Sequence, residues 1–149
     1  MTQLLTLLFL LTASQGSSST SRPDTITRTG KVVLLSEVLK AKGLPADPEP
    51  IAFQVVLVEE DGTITPMLSD DASRALFKDE RLRGRKAELI ARKLPGVPYL
   101  QVVSFKVDDE GILRIPEYYC DVCSISVRSP QTCPCCQGPM DLRMKPENR

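Results

Sequence analysis

Two runs decide the fold: Lys86-Ala87-Glu88-Leu89-Ile90-Ala91-Arg92-Lys93-Leu94 and Leu100-Gln101-Val102-Val103-Ser104-Phe105-Lys106-Val107, separated by Pro95-Gly96-Val97-Pro98. Both are rich in aliphatic and β-branched residues, and the Pro-Gly pair between them has turn chemistry, so they read as two adjacent strands. Upstream, Ser69 precedes Asp70 and Asp71, and Ala72, Ala75 and Leu76 recur at i, i+3 and i+4. That is an N-cap, an acidic first turn and an apolar stripe, which together predict a short helix ending by Gly84. Before it, Asp61-Gly62 turns the run 52–58 into the run 63–68 as a hairpin, because glycine adopts positive φ cheaply. Pro45, Pro48 and Pro50 place a loop ahead of that hairpin, and 32–39 reads as the first strand. In the other direction a last strand, 112–119, leads straight into Cys120.

Strand, strand, strand, helix, strand, strand is the order of a small Greek-key barrel. Gly84-Arg85-Lys86-Ala87-Glu88-Leu89-Ile90, followed after a turn by Leu100-Gln101-Val102-Val103-Ser104, resembles bacterial OB-fold domains over about residues 30–107. The resemblance implies a mainly β (α+β) fold, a five-stranded OB-like barrel with one short helix. An open α+β sheet is the alternative. The apolar residues from Val32 to Val107 lead us to expect that residues 28–117 fold without the cysteine-rich remainder of the chain.

Composition narrows the function. The chain of 149 residues balances 19 Lys plus Arg against 19 Asp plus Glu and contains no histidine. A neutral chain has no global field to gather nucleic acid or anionic lipid. Without histidine, Ser-His-Asp and Cys-His nucleophiles, His-ligated haem and the usual general base near neutral pH are all excluded. A local excess of basic residues lies between Lys78 and Lys93, but aromatics are scarce and Phe53, Phe77 and Phe105 are assigned to the core. The stretch therefore reads as a solvated face, and nucleic acid is not an expected partner.

At the start of the chain, Leu4-Leu5-Thr6-Leu7-Leu8-Phe9-Leu10-Leu11 followed by small and polar residues has the layout of a signal peptide, assigned to residues 1–16. The run is too short to span the roughly 20 residues of a membrane helix, so no span is expected in the mature chain. A Ser/Thr-rich linker, 17–27, comes next. The expectation is an exported protein, periplasmic or secreted.

All five cysteines lie between Cys120 and Cys136. Cys120-Asp121-Val122-Cys123 and Cys133-Pro134-Cys135-Cys136 are two Cys-x-x-Cys pairs, and two such pairs can give four thiolates to one tetrahedral ion. The cluster, 118–143 with a tail to 149, resembles a zinc ribbon with two knuckles. On that resemblance Cys120, Cys123, Cys133 and Cys136 bind Zn2+, with Pro134 and Gly138 suiting the second turn. Cys135 sits inside the second pair and is an alternative ligand through a Cys133-x-Cys135 bite. Four protein ligands leave no open position, so the zinc is structural and the protein a non-catalytic binding or scaffold module for a protein partner. It looks similar to uncharacterised exported bacterial proteins of that layout. Two other readings of the same residues are disulfides with one thiol left over, and a thiol-disulfide redox or Cu+ handling role for Cys133-Pro134-Cys135-Cys136.

Overall fold

The computed structural model describes residues 24–145, so the signal-peptide reading of 1–16 lies outside the described residues. The chain forms β1 (Thr25–Leu34), α1 (Leu35–Ala41), β2 (Val55–Glu59), β3 (Ile64–Pro66) and α2 (Arg74–Lys78), then a 3-10 turn (Glu80–Leu82). β4 (Lys86–Lys93), β5 (Leu100–Asp109) and β6 (Ile112–Arg114) come next, and then β7 (Pro116–Cys120), β8 (Ile125–Val127) and β9 (Asp141–Met144). The protein is mainly β, with two sheets ordered β3-β2-β1-β4-β5-β6 and β8-β7-β9. Every strand ladder is antiparallel. Among the described residues no helix is long and apolar enough to cross a membrane.

The deciding pair of runs is β4 and β5. In β4, Ala87, Leu89 and Ala91 are buried while Ile90 between them is exposed, the period of a strand with one face on the core. β5 buries Leu100 and Val102, then Phe105 and Val107, so its inward set changes parity midway. The reason is an irregularity opposite Ile90 and Ala91, where the register steps from Ser104 to Val102 and leaves Val103 as the extra residue. Such a bulge bends the strand and lets both halves face the same core.

The sheet is open rather than a closed five-stranded barrel. One edge of β5 pairs with β4, and the other edge is divided. At its start, Leu100 meets Met67 in a single parallel bridge and its carbonyl accepts from the Leu68 N–H at 3.0 Å. At its far end, β6 lies against Val107, Asp108 and Asp109. The expected strand 112–119 is therefore two strands. Glu110 and Gly111, both at positive φ, fold β6 back along β5, and the chain breaks at Ile115 before Pro116 opens β7 in the second sheet. A proline lacks the N–H of a ladder and is tolerated as a first strand residue.

Three local readings change as well. The first strand begins at Thr25 and ends at Leu34, and Leu35–Ala41 is helix rather than strand. The helix expected from Ser69 starts only at Arg74, because Asp70 and Ser73 close a turn instead. The buried Ser73 hydroxyl donates to the Leu68 carbonyl at 2.7 Å, and the Ser73 N–H donates to Asp70 Oδ1 at 3.2 Å. Phe105 is buried and Phe77 packs against the core, but Phe53 stands 83% exposed in the loop before β2.

At the crossing of β1 and β2, Gly30 faces the Val58 carbonyl so closely that a Cβ there would lie 2.4 Å from the oxygen. Only glycine permits that approach.

The hydrophobic core is not confined to residues 28–117. It gathers Val32, Val55, Leu57, Leu76, Leu89 and Val107 with Tyr118 of β7, and Val127, Met140, Leu142 and Met144 pack against it. Tyr118 is 1% exposed, and its hydroxyl donates to Asp79 Oδ2 at 2.7 Å. Asp79 is buried too and accepts from the Arg81 backbone N–H at 3.0 Å and from Arg81 Nη2 at 2.7 Å. These bonds tie the 3-10 turn under the large sheet to the central strand of the small one.

The Arg81 hydrogen bonds, with help from Tyr118, outweigh burial and hold the Asp79 carboxyl at about 2, below its ordinary 3.8. A carboxyl depressed in the folded state stabilises that state fully above the unfolded value and loses the effect as pH falls through the folded one. Urea unfolding between pH 5 and pH 2 should therefore show a loss of about 2 kcal/mol from this group. Asp79→Asn should flatten that acid limb, and an unchanged pH slope in the variant counts against the assignment.

Candidate metal centre

β7 delivers Cys120 at its last position, and the chain then turns through Asp121, Val122 and Cys123 into β8. The turn closes when the Ser124 N–H donates to the Cys120 carbonyl at 2.8 Å, with Ser124 at φ 56°. The second pair repeats that geometry: the Gln137 N–H donates to the Cys133 carbonyl at 2.9 Å, with Gln137 at φ 60°. In each pair, then, the first cysteine accepts from the residue after the second, and that residue takes the left-handed conformation. The left-handed position falls on Gln137, the residue before Gly138. Gly138 lies beside the cluster, where a Cβ would make only an ordinary 3.4 Å contact with the Cys136 sulfur. Its carbonyl also accepts from the Cys133 N–H at 2.9 Å, which closes the second turn from outside.

The two turns face each other and bring Cys120, Cys123, Cys133 and Cys136 together, with all four sulfurs within 4.8 Å of one another. Cys120 Sγ and Cys136 Sγ are 3.6 Å apart. A tetrahedron with Zn–S bonds of about 2.3 Å has sulfurs about 3.8 Å apart, so the set has room for one such ion. A disulfide needs about 2.05 Å, and all five cysteines are free. Cys120 and Cys133 are buried, Cys123 is half-buried and Cys136 is exposed, so the group is anchored on the core side and open on the other. Cys135 is exposed and outside the converging set.

Electrostatics agree with the geometry. The Cys136 backbone N–H, joined by that of Cys135 and by the thiols of Cys120 and Cys136, outweighs burial and lowers Cys133 to about 7 from 9.0. Cys123 is raised, first by a hydrogen bond with the Cys135 sulfur and then by burial. Cys120 is raised on balance: the Cys123 backbone N–H lowers it, and burial with the thiols of Cys133 and Cys136 more than offsets that. Four thiolates so close repel one another, and a bound divalent cation offsets that repulsion. The donor set is soft and contains neither oxygen nor imidazole, which suits Zn2+ and excludes Ca2+ and Mg2+.

Around the sulfurs, Arg143 of β9 donates to Asp121 Oδ1 and lies 4.3 Å over the Tyr119 ring. It fastens the first turn to the strand that succeeds the second. Away from this centre, a cavity of about 520 Å3 lies between α1 and β1–β2, lined by Val33, Val38, Ala41 and Val58. Three arginines of the basic stretch 78–93 are engaged within the protein. Arg81 pairs with Asp79, Arg83 donates to the Leu76 and Phe77 carbonyls, and Arg85 donates to the Asp108 carbonyl.

Compared with protein-family models, curated proteins and solved structures, the chain shows no match.

Proposed function

We propose that this is an exported, non-catalytic scaffold or binding protein in which a structural four-cysteine zinc site rigidifies one end of a small β domain and presents it to a protein partner. The carrying observation is the convergence of Cys120, Cys123, Cys133 and Cys136 from two equivalent turns. Four sulfurs fill a tetrahedral shell, and a filled shell leaves no position for substrate or water. Two turns above a three-stranded antiparallel sheet are what a zinc ribbon has, and that likeness supports the identity of the module. The order β3-β2-β1-β4-β5, with the single parallel bridge from Met67 to Leu100 and α2 between β3 and β4, supports an OB-like ancestry for the larger sheet. Export rests on the Leu-rich start of the chain.

Elemental analysis of the purified protein, paired with thiol titration, tests the reading. One zinc per chain is expected, with four thiols unreactive until a chelator removes the ion and the fifth reactive throughout. Copper in place of zinc, or five freely reactive thiols in the native protein, would move the assignment to metal transfer or thiol exchange.

A further inference from the structure

The cavity between α1 and β1–β2 has no part in the metal centre, and its walls are of one kind. Val32, Val55 and Leu57 turn into the core, and Leu34 packs against it. Val33 and its cross-strand partner Val56, and Val58 opposite Lys31, are one step out of phase and therefore lie on the other face of the sheet. Val56 is 1% exposed although it is outside the core cluster, so that outer face is both apolar and covered. α1 stands over it, yet none of its seven residues is fully buried. The helix thus roofs a cavity of about 520 Å3 that its own side chains do not fill, a volume within the range of small-molecule sites.

Positive charge gathers at the mouth. Lys31 of β1 and Lys86 of β4 are direct cross-strand partners, a like-charged pair whose repulsion an anion between them would relieve. Lys42, at the C-terminal end of α1, lines the same cavity. Of the three carboxylates there, Glu59 is engaged by Arg28 at 3.1 Å and Glu60 comes to 4.0 Å from Lys86. Among the described residues Lys31, Lys42 and Glu37 form no ion pair, which leaves two cations against one carboxylate at the rim.

We propose that this cavity binds a medium-chain fatty acid, its chain laid along the valines beneath α1 and its carboxylate held at Lys31 and Lys86. Seven helical residues span about 10 Å, which covers a chain of about eight to ten carbons. The site shares no residue with the four cysteines and does not rest on the zinc reading.

The test is calorimetric titration of the full protein with hexanoate, octanoate and decanoate. Affinity should rise about tenfold with each added pair of methylene groups, as burial of an apolar chain requires. Decyltrimethylammonium offers the same chain with the opposite charge and should bind about tenfold more weakly than decanoate. The double variant Lys31→Glu, Lys86→Glu should lose about tenfold in decanoate affinity, and both side chains are exposed, so the fold is kept. Val38→Glu, which puts a charge into the roof, should abolish binding. Affinity that ignores chain length, or that is equal in the wild type and both variants, overturns the site. A preference for the decyl cation overturns the role of the lysines. Binding to phosphatidylglycerol vesicles without binding to free decanoate makes this face a membrane contact and overturns the fatty-acid assignment.

Discussion

Cys133→Ser should remove stoichiometric zinc, whereas Cys135→Ser should keep about one ion per chain. Cys133 is the most deeply buried of the four ligands, its carbonyl and N–H close the second turn, and its pKa is lowered to about 7. Thiolate zinc sites in small modules contribute about 10–16 kcal/mol of apparent free energy, so one of four sulfurs represents about 3–4 kcal/mol, or two to three orders of magnitude in affinity. A competition titration with a chelator of known affinity reads the change directly. Cys135→Ser should stay within about threefold of the wild type, because its sulfur is outside the converging set. If instead Cys135→Ser loses the ion and Cys136→Ser keeps it, the site uses the Cys133-x-Cys135 bite.

Tyr118→Ala should be the most damaging single change in the apolar core. The side chain is almost wholly buried at the junction of the two sheets, and truncating a buried aromatic costs about 3–5 kcal/mol. The substitution also removes a hydrogen bond to the buried Asp79 carboxylate. Tyr118→Phe isolates that second contribution and should cost about 1.5–3 kcal/mol, the range for a hydrogen bond to a charged group. Urea unfolding of both variants at neutral pH, with zinc held in excess, separates packing from hydrogen bonding. A Tyr118→Ala loss below about 1 kcal/mol would show that the small sheet is only an appendage, the arrangement that the apolar pattern of 28–117 leads one to expect.

The legible part of the fold is the part carried by period and turn chemistry. β4 and β5 are rich in strand formers and Pro95-Gly96 separates them, so both strands can be read to within two residues of their ends. The helix α1 escapes such a reading because Leu34, Leu35, Val38 and Leu39 continue a β-rich run, although Leu35, Val38 and Leu39 also recur at i, i+3 and i+4. The two signals compete over so short a span, and the proline-rich loop behind α1 does not arbitrate between them. Pro116 marks the division of 112–119 into two strands, but where the first of them pairs has no local signature. It depends on which edge of β5 is free, and that is decided by where Met67 arrives from 33 positions upstream of Leu100. Spacing alone points to Cys120, Cys123 and Cys133, and to Cys136 with Cys135 as the alternative. The choice of Cys136 over Cys135 needs the repeated turn hydrogen bonds, which no spacing rule contains. Tyr118 shows nothing in the sequence beyond its neighbourhood to Cys120, since its partner Asp79 lies 39 residues away.

At Gly30 the large sheet has no side chain to hold its strands apart. Where β1 crosses β2, the absent side chain lets the Val58 carbonyl come within a distance no Cβ tolerates, so the two strands can coil sharply around each other at that point. Twist adds up from strand to strand across a sheet, and the chain after β3 meets β5 where Met67 touches Leu100. A flatter sheet would hold those two residues on opposite flanks, several strand widths apart. A missing methyl group in the middle of β1 and one bridge at the far flank are thus the two places where a flat array leans toward a cylinder.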